Sequence, residues 1–126
     1  MILVDTSVWA DHFRRSENRL VELLHSGLVL THPFVTAELA LGNLRPWDST
    51  VAMLCSLPAA TVASELELLA LIRGERLAGS GIGLVDAHLL AACRLTPGAL
   101  LWSRDGKLAR KARAMTLAWN ENTAAR

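Results

Sequence analysis

Residues 2–14, ILVDTSVWADHFR, decide how the rest of the chain is read. Ile2, Leu3 and Val4 form an unbroken apolar run, the pattern of a short strand buried on both faces of a parallel sheet. Asp5 closes that run, and Thr6 or Ser7 caps a helix whose mixed face carries Val8, Trp9, His12 and Phe13. An acid at the end of a buried strand, followed at once by a helix, opens an α/β arrangement.

The alternation continues along the chain. A second helix carries Leu20, Val21, Leu23 and Leu24 and stops at Ser26-Gly27. LVLTH (28–32) reads as a strand, and Pro33 opens a helix through Glu38 to about Leu44, broken at Arg45-Pro46-Trp47. A helix from Asp48 or Ser49 ends at Leu57-Pro58, and the piece at Thr61-Val62 is ambiguous. Ser64 with Glu67 matches a capping box ahead of LELLALIR. A glycine-punctuated loop, 78–83, leads into a helix from Leu84 to Leu95. Pro97-Gly98 turns the chain into the strand ALLW, a helix follows from Asp105 to Met115, and TLAW is a last strand. The expectation is one α/β domain over 1–126, with a central, mainly parallel β-sheet flanked by helices on both faces. Glu121 to Arg126 reads as a polar frayed tail.

Bulk composition narrows the function classes. The 126 residues carry a net charge of +1, so overall charge names no partner, and any nucleic-acid signal must come from local patterning. An apolar fraction of 52% fits either a Leu- and Ala-rich core or a surface covered by a second subunit. Cys55 and Cys93 have no metal-type spacing and read as reduced core residues. No apolar run approaches a membrane span and no charged leader precedes an apolar segment, so the cytoplasm is the expected location.

Four acids stand inside or at the ends of apolar runs. Asp5 ends ILVD, Glu38 interrupts PFVTAELAL, Asp86 interrupts GIGLVDAHLLAAC, and Asp105 follows ALLWSR. An unpartnered buried carboxylate costs several kcal/mol or neutralises. Asp5 and Asp105 fall at strand ends, and Glu38 and Asp86 are read in the first turns of helices starting at that same sheet edge, where α/β folds keep their functional crevice. Clustered carboxylates stay ionised when a cation holds them. Oxygen-only donors favour Mg²⁺ or Mn²⁺ over zinc, and such ions serve phosphodiester hydrolysis. Any one of these acids alone is more often a cap, turn or solvated helix residue; the joint pattern carries the reading.

The segments DTSVWADHFR (5–14), TAELALG (36–42), LVDAHLLAA (84–92) and LWSRDGKLA (101–109) resemble PIN domains, and more narrowly the VapC-type ribonuclease toxins of toxin–antitoxin pairs. The resemblance runs through nearly the whole chain in order. It implies a PIN-like fold and a metal-dependent endoribonuclease acting on RNA, a homodimer inhibited by a small VapB-type antitoxin. It places the metal-binding and catalytic acids on Asp5, Glu38, Asp86 and Asp105, and the supporting hydroxyls on Thr6, Ser7 and Ser103. Where the family often has Thr two residues before the last acid, this chain has Ser103, which keeps the hydroxyl.

Arg104, Lys107, Arg110, Lys111 and Arg113 crowd the segment after the last strand, while Leu108, Ala112 and Met115 share the opposite side of its helix. Such a face is either solvated or a surface that tracks RNA phosphates beside the acids. The four histidines lack metal spacing, and His88 reads as a core or rim residue. Trp9 and Trp102 read as core, and Trp47 as the exposed candidate for base stacking. No phosphate-loop pattern or other small-molecule cofactor motif occurs. Two rivals stand beside the nuclease: a Mg²⁺-dependent phosphoacceptor domain, and a catalytically silent PIN-like binding module.

Overall fold

The computed structural model describes residues 1–122. Its elements are β1 (Ile2–Val4), α1 (Thr6–Arg14), α2 (Asn18–His25), β2 (Val29–Leu30), α3 (Pro33–Ala40), α4 (Trp47–Ser56), α5 (Glu65–Gly74), α6 (Leu84–Leu95), β3 (Leu100–Trp102) and α7 (Gly106–Ala114). The strands form a parallel sheet in the order β2-β1-β3, flanked by helices on both sides. Ile2 sits opposite both Val29 and Leu100, so β1 is the central strand, and its three residues are buried.

Single parallel bridges lengthen the sheet at each edge, Thr31 with Ala59 and Leu101 with Ala118. The expected strand TLAW therefore contributes one bridge, held by Leu101 N–H to Leu117 O and Trp119 N–H to Leu101 O. The ambiguous piece at Thr61-Val62 forms no strand, and the neighbouring Ala59 makes the bridge.

Helix α6 lies deepest. Every residue from Ala87 to Cys93 is buried, the all-round apolar character of a helix enclosed by its neighbours. It packs on α5 and β3, while Val8 and Trp9 of α1 and Leu108 and Ala112 of α7 complete the core with no or almost no exposure. The capping box forms as expected: Ser64 Oγ accepts from Glu67 N–H at 3.1 Å, and Glu67 Oε1 accepts from Ser64 N–H at 2.8 Å. Gly27 follows α2 at φ +67°, a conformation that only glycine adopts readily.

One core assignment changes and one holds. Cys55 is exposed, because it follows the fully buried Leu54 and successive helical side chains diverge by about 100°. Cys93 is buried, which pushes its thiol up to about 12. No described helix is long and apolar enough to cross a membrane.

Candidate functional site

Asp5 anchors the site. Its backbone N–H completes the β1–β3 ladder by donating to Trp102 O at 2.9 Å, and its side chain turns back to cap α1. Asp5 is only 5% exposed, so its charge must be met from within the protein. Oδ1 accepts from Thr6 N–H at 2.7 Å, and Oδ2 accepts from Ser7 Oγ and Ser103 Oγ, each at 2.8 Å.

Those two hydroxyls also accept from the turn between β3 and α7. Arg104 N–H donates to Ser7 Oγ at 3.0 Å, and Asp105 N–H donates to Ser103 Oγ at 3.0 Å. One continuous network thus fastens the turn carrying Asp105 to the turn carrying Asp5. Asp105 itself caps α7 by accepting from Leu108 N–H at 3.0 Å.

Glu38 arrives from a third element. Helix α3 starts at Pro33 behind a cap from His32, whose Nδ1 accepts from Phe34 N–H at 3.1 Å. Glu38 is therefore the sixth residue of α3, in its second turn rather than its first. It is exposed, and Thr6 Oγ1 donates to its Oε1 at 2.7 Å. Asp86 lies in the first turn of α6 as expected and is half-buried. Its carboxyl is pushed up to about 6, first by desolvation and then by the negative charges of Asp5, Asp105 and Glu38. That coupling brings the four acids into one electrostatic field. Burial is uneven among them, since Asp105 and Glu38 are exposed.

The acids share a field without sharing a vertex. Among the described residues, no group of three or more His, Cys, Asp or Glu side chains is arranged to hold an ion directly. A hard, hydrated divalent ion fits such a spread, because it keeps several waters and takes only one or two carboxylates directly. Asp5 retains capacity for this: a carboxylate has about four lone-pair positions, and three are used by protein donors.

The basic residues separate into two groups. The Arg104 guanidinium, expected on the phosphate-tracking face, is instead held by three carboxylates: Asp11 and Glu17 at 2.8 Å and Glu121 at 3.0 Å. Glu17, then Glu121 and Asp11, hold it firmly protonated, and it lies over the Trp102 ring. In return Arg104 keeps the Asp11 and Glu17 carboxyls below their ordinary values. Glu121 also accepts from Trp102 Nε1, so the expected frayed tail is tied down at its first residue, and 123–126 lie outside the described residues. Nothing local in the sequence signals this cluster, because the partners are 93, 87 and 17 residues from Arg104.

Lys107, Arg110 and Lys111 form the second group. They line a cleft of about 260 Å³ with Ser80, Ile82 and Ala114. Arg113 faces a larger cavity of about 560 Å³ bounded by Trp102, Ser103, Arg104 and Trp119, whose walls include none of the four acids. Trp9 and Trp102 are core residues, and Trp47 is 46% exposed with its Nε1 donating to Ala40 O at 2.8 Å.

His32 is fully buried, and burial followed by the neighbouring His88 pushes it down to about 4. Its role in capping the helix that carries Glu38 had no sequence signal beyond its place before Pro33.

The PIN domain model matches residues 2–114. Ribonuclease VapC32 of Mycobacterium tuberculosis, from strains CDC 1551 / Oshkosh and ATCC 25618 / H37Rv, is 46% identical over 108 residues, covering 86% of this chain and 87% of the relative. With the match spanning β1 through α7, the chain belongs to the PIN domain family.

Proposed function

We propose that this chain is a metal-dependent endoribonuclease, the toxin of a toxin–antitoxin pair, and that Asp5, Glu38, Asp86 and Asp105 form its catalytic and metal-binding set. The observation that carries the reading is the hydrogen-bond network from Asp5 through Ser7 and Ser103 to the Asp105 turn, with Thr6 beside Asp5 donating to Glu38. The Asp86 carboxyl, pushed up to about 6 by burial and by the charges of these three acids, belongs to the same field. Likeness to a ribonuclease over 86% of the chain supports the same activity.

The ion is Mg²⁺ or Mn²⁺, in keeping with a donor set made of oxygen alone. When bound, it polarises a phosphoryl oxygen and makes water an effective nucleophile near neutral pH. The chain's own residues divide the remaining work. Three donors keep Asp5 fixed, Thr6 aims Glu38, and Ser103 ties the Asp105 turn to Asp5. Water attacks phosphorus, the bond from phosphorus to the 3′ oxygen breaks, and that oxygen leaves with a proton. The products are a 5′-phosphate and a 3′-hydroxyl.

Lys107, Arg110 and Lys111 face the RNA phosphates, and Arg104 serves the site by holding the turn between Ser103 and Asp105. The working form is a cytoplasmic homodimer restrained by a small VapB-type antitoxin. The direct test compares the native chain with Asp5→Asn by RNA end-mapping after expression in a bacterial host. New 5′-phosphate ends are expected from the native chain alone, and they vanish in excess chelator. Equal cleavage by both proteins removes the reading. The dispersed acids favour one rival, a silent binding module, which requires that Mg²⁺ and Mn²⁺ leave the melting temperature unchanged.

A further inference from the structure

Two glycines seat two of the cations of the 260 Å³ cleft. Gly81 lies in the loop before α6 at φ +85°, and a Cβ there would stand 2.6 Å from Lys107 Nζ. That distance is inside any permitted contact, so the Lys107 ammonium occupies the space an alanine side chain would take. At the start of α7, a Cβ on Gly106 would stand 3.2 Å from Arg110 Nη1. Arg110 therefore folds back over the first turn of the helix that Asp105 caps.

Helix energetics argue against a stabilising purpose for this arrangement. Lys107 is the second residue of α7, at the positive end of the helix dipole, where a cation is disfavoured, and the N-cap acid Asp105 accepts from Leu108 N–H and forms no ion pair with Lys107. Among the described residues, no ion pair involves Lys107, Arg110 or Lys111, and no carboxylate lines the cleft. Three cations without an ion pair around one concavity make a site for an anion. Its walls come from the loop before α6, whose first turn carries Asp86, and from α7, which Asp105 caps, and none of the four acids lines it.

We infer that this cleft is a discrete phosphate subsite for the RNA backbone, and that Gly81 builds it by leaving room for the Lys107 ammonium. The inference rests on the nuclease reading for the identity of the polyanion. RNA suits the position better than an acidic peptide, because a hard divalent ion held by one or two carboxylates typically completes its shell with substrate phosphate. The subsite holds a phosphate next to the scissile one and fixes the strand's register.

The test exploits a second glycine in the same loop. Gly79 has φ +72°, but nothing lies within 4 Å of its would-be Cβ. Gly81→Ala and Gly79→Ala thus impose similar backbone strain, and only the first displaces Lys107. Binding of a short fluorescent single-stranded RNA is measured across a salt series, in chelator so that the RNA stays intact. Loss of one phosphate contact lowers the salt slope by about 0.7, which is roughly fivefold in affinity at 0.1 M salt. Gly81→Ala and Lys107→Ala each show that loss, the double variant shows no more than either single one, and Gly79→Ala matches the native chain. Identical behaviour of the two glycine variants, or an unchanged slope for Lys107→Ala, overturns the inference. Failure of the nuclease reading looks different: RNA binds with these dependences, yet the native chain does not cut it when Mg²⁺ or Mn²⁺ is added.

Discussion

Replacing Asp86 with Asn should make the metal-free protein more stable while removing its function. The Asp86 carboxyl moves from 3.8 to about 6, so folding disfavours its ionised form. At about 1.4 kcal/mol per pH unit the penalty is at most about 3 kcal/mol above pH 6. Asp86 is only half-buried, and solvent screening reduces that to about 1–2 kcal/mol. Asn also gives up part of the attraction between a negative charge and the α6 N-terminus, worth roughly 0.3–1 kcal/mol. A net gain of about 1 kcal/mol remains, or about 3–5 °C in melting temperature for a chain of this size.

The sign sets the pH window. With a folded value above the unfolded one, the penalty is complete above about pH 6 and fades as pH falls towards 3.8, where the carboxyl is neutral in both states. Thermal melts in chelator at pH 7.5 should rank Asp86→Asn above the native chain, with the gap closing towards pH 4. Adding Mg²⁺ or Mn²⁺ should reverse the order, since an ion at one hundred times its Kd adds about 2.7 kcal/mol to the protein that binds it. A variant no more stable than the native chain at pH 7.5, or stabilised equally by metal, refutes the account of an acid held under strain for an ion.

Three further outcomes follow from named contacts. His32, held near 4 by burial, is protonated in the unfolded chain below about 6.5 but not in the folded one, so it lowers stability as pH falls through that range. His32→Asn keeps a capping acceptor for Phe34 N–H and should gain melting temperature on acidification from pH 7 to 5, where Asp86→Asn should lose it. Thr6→Val removes the donor that aims Glu38, and cleavage or metal affinity should fall by about 10–100-fold with little change in melting temperature. Arg104→Met leaves Asp11, Glu17 and Glu121 facing one another, so its loss of melting temperature should be larger at low salt than at 1 M.

What the sequence disclosed follows the range of the interactions. β1, its terminal Asp5 and the buried run of α6 were legible because apolar continuity reports burial directly, and the Ser64 capping box because its partners are three residues apart. Apolar neighbours misled at Glu38, which precedes the buried Leu39 yet is exposed because successive helical side chains diverge, and at Asp105, which two half-buried residues separate from the buried Trp102. The helical register from Pro33 also puts Glu38 one turn later than its neighbours suggested. Arg104 was the least legible residue. Its position beside Lys107 resembles a basic stripe, and only the tertiary fold brings Asp11, Glu17 and Glu121 to it.

The acids differ in how their charge is met, and this difference bears on how the site would take an ion. Asp5 is the most buried and the best satisfied, with three protein donors on its two oxygens. Such a carboxylate is a fixed point of the site. Asp86 sits in the same field, and its carboxyl is driven upward, first by desolvation and then by the neighbouring charges. Asp86 is thus the acid whose charge the fold disfavours, and Asp5 the one whose position the fold fixes. Satisfying all four acids with arginines would stabilise the fold and leave nothing to attract an ion. The fold places its three-carboxylate arginine cluster at Arg104 instead, one residue from Asp105, where it secures the turn and leaves the acids' own charge uncancelled.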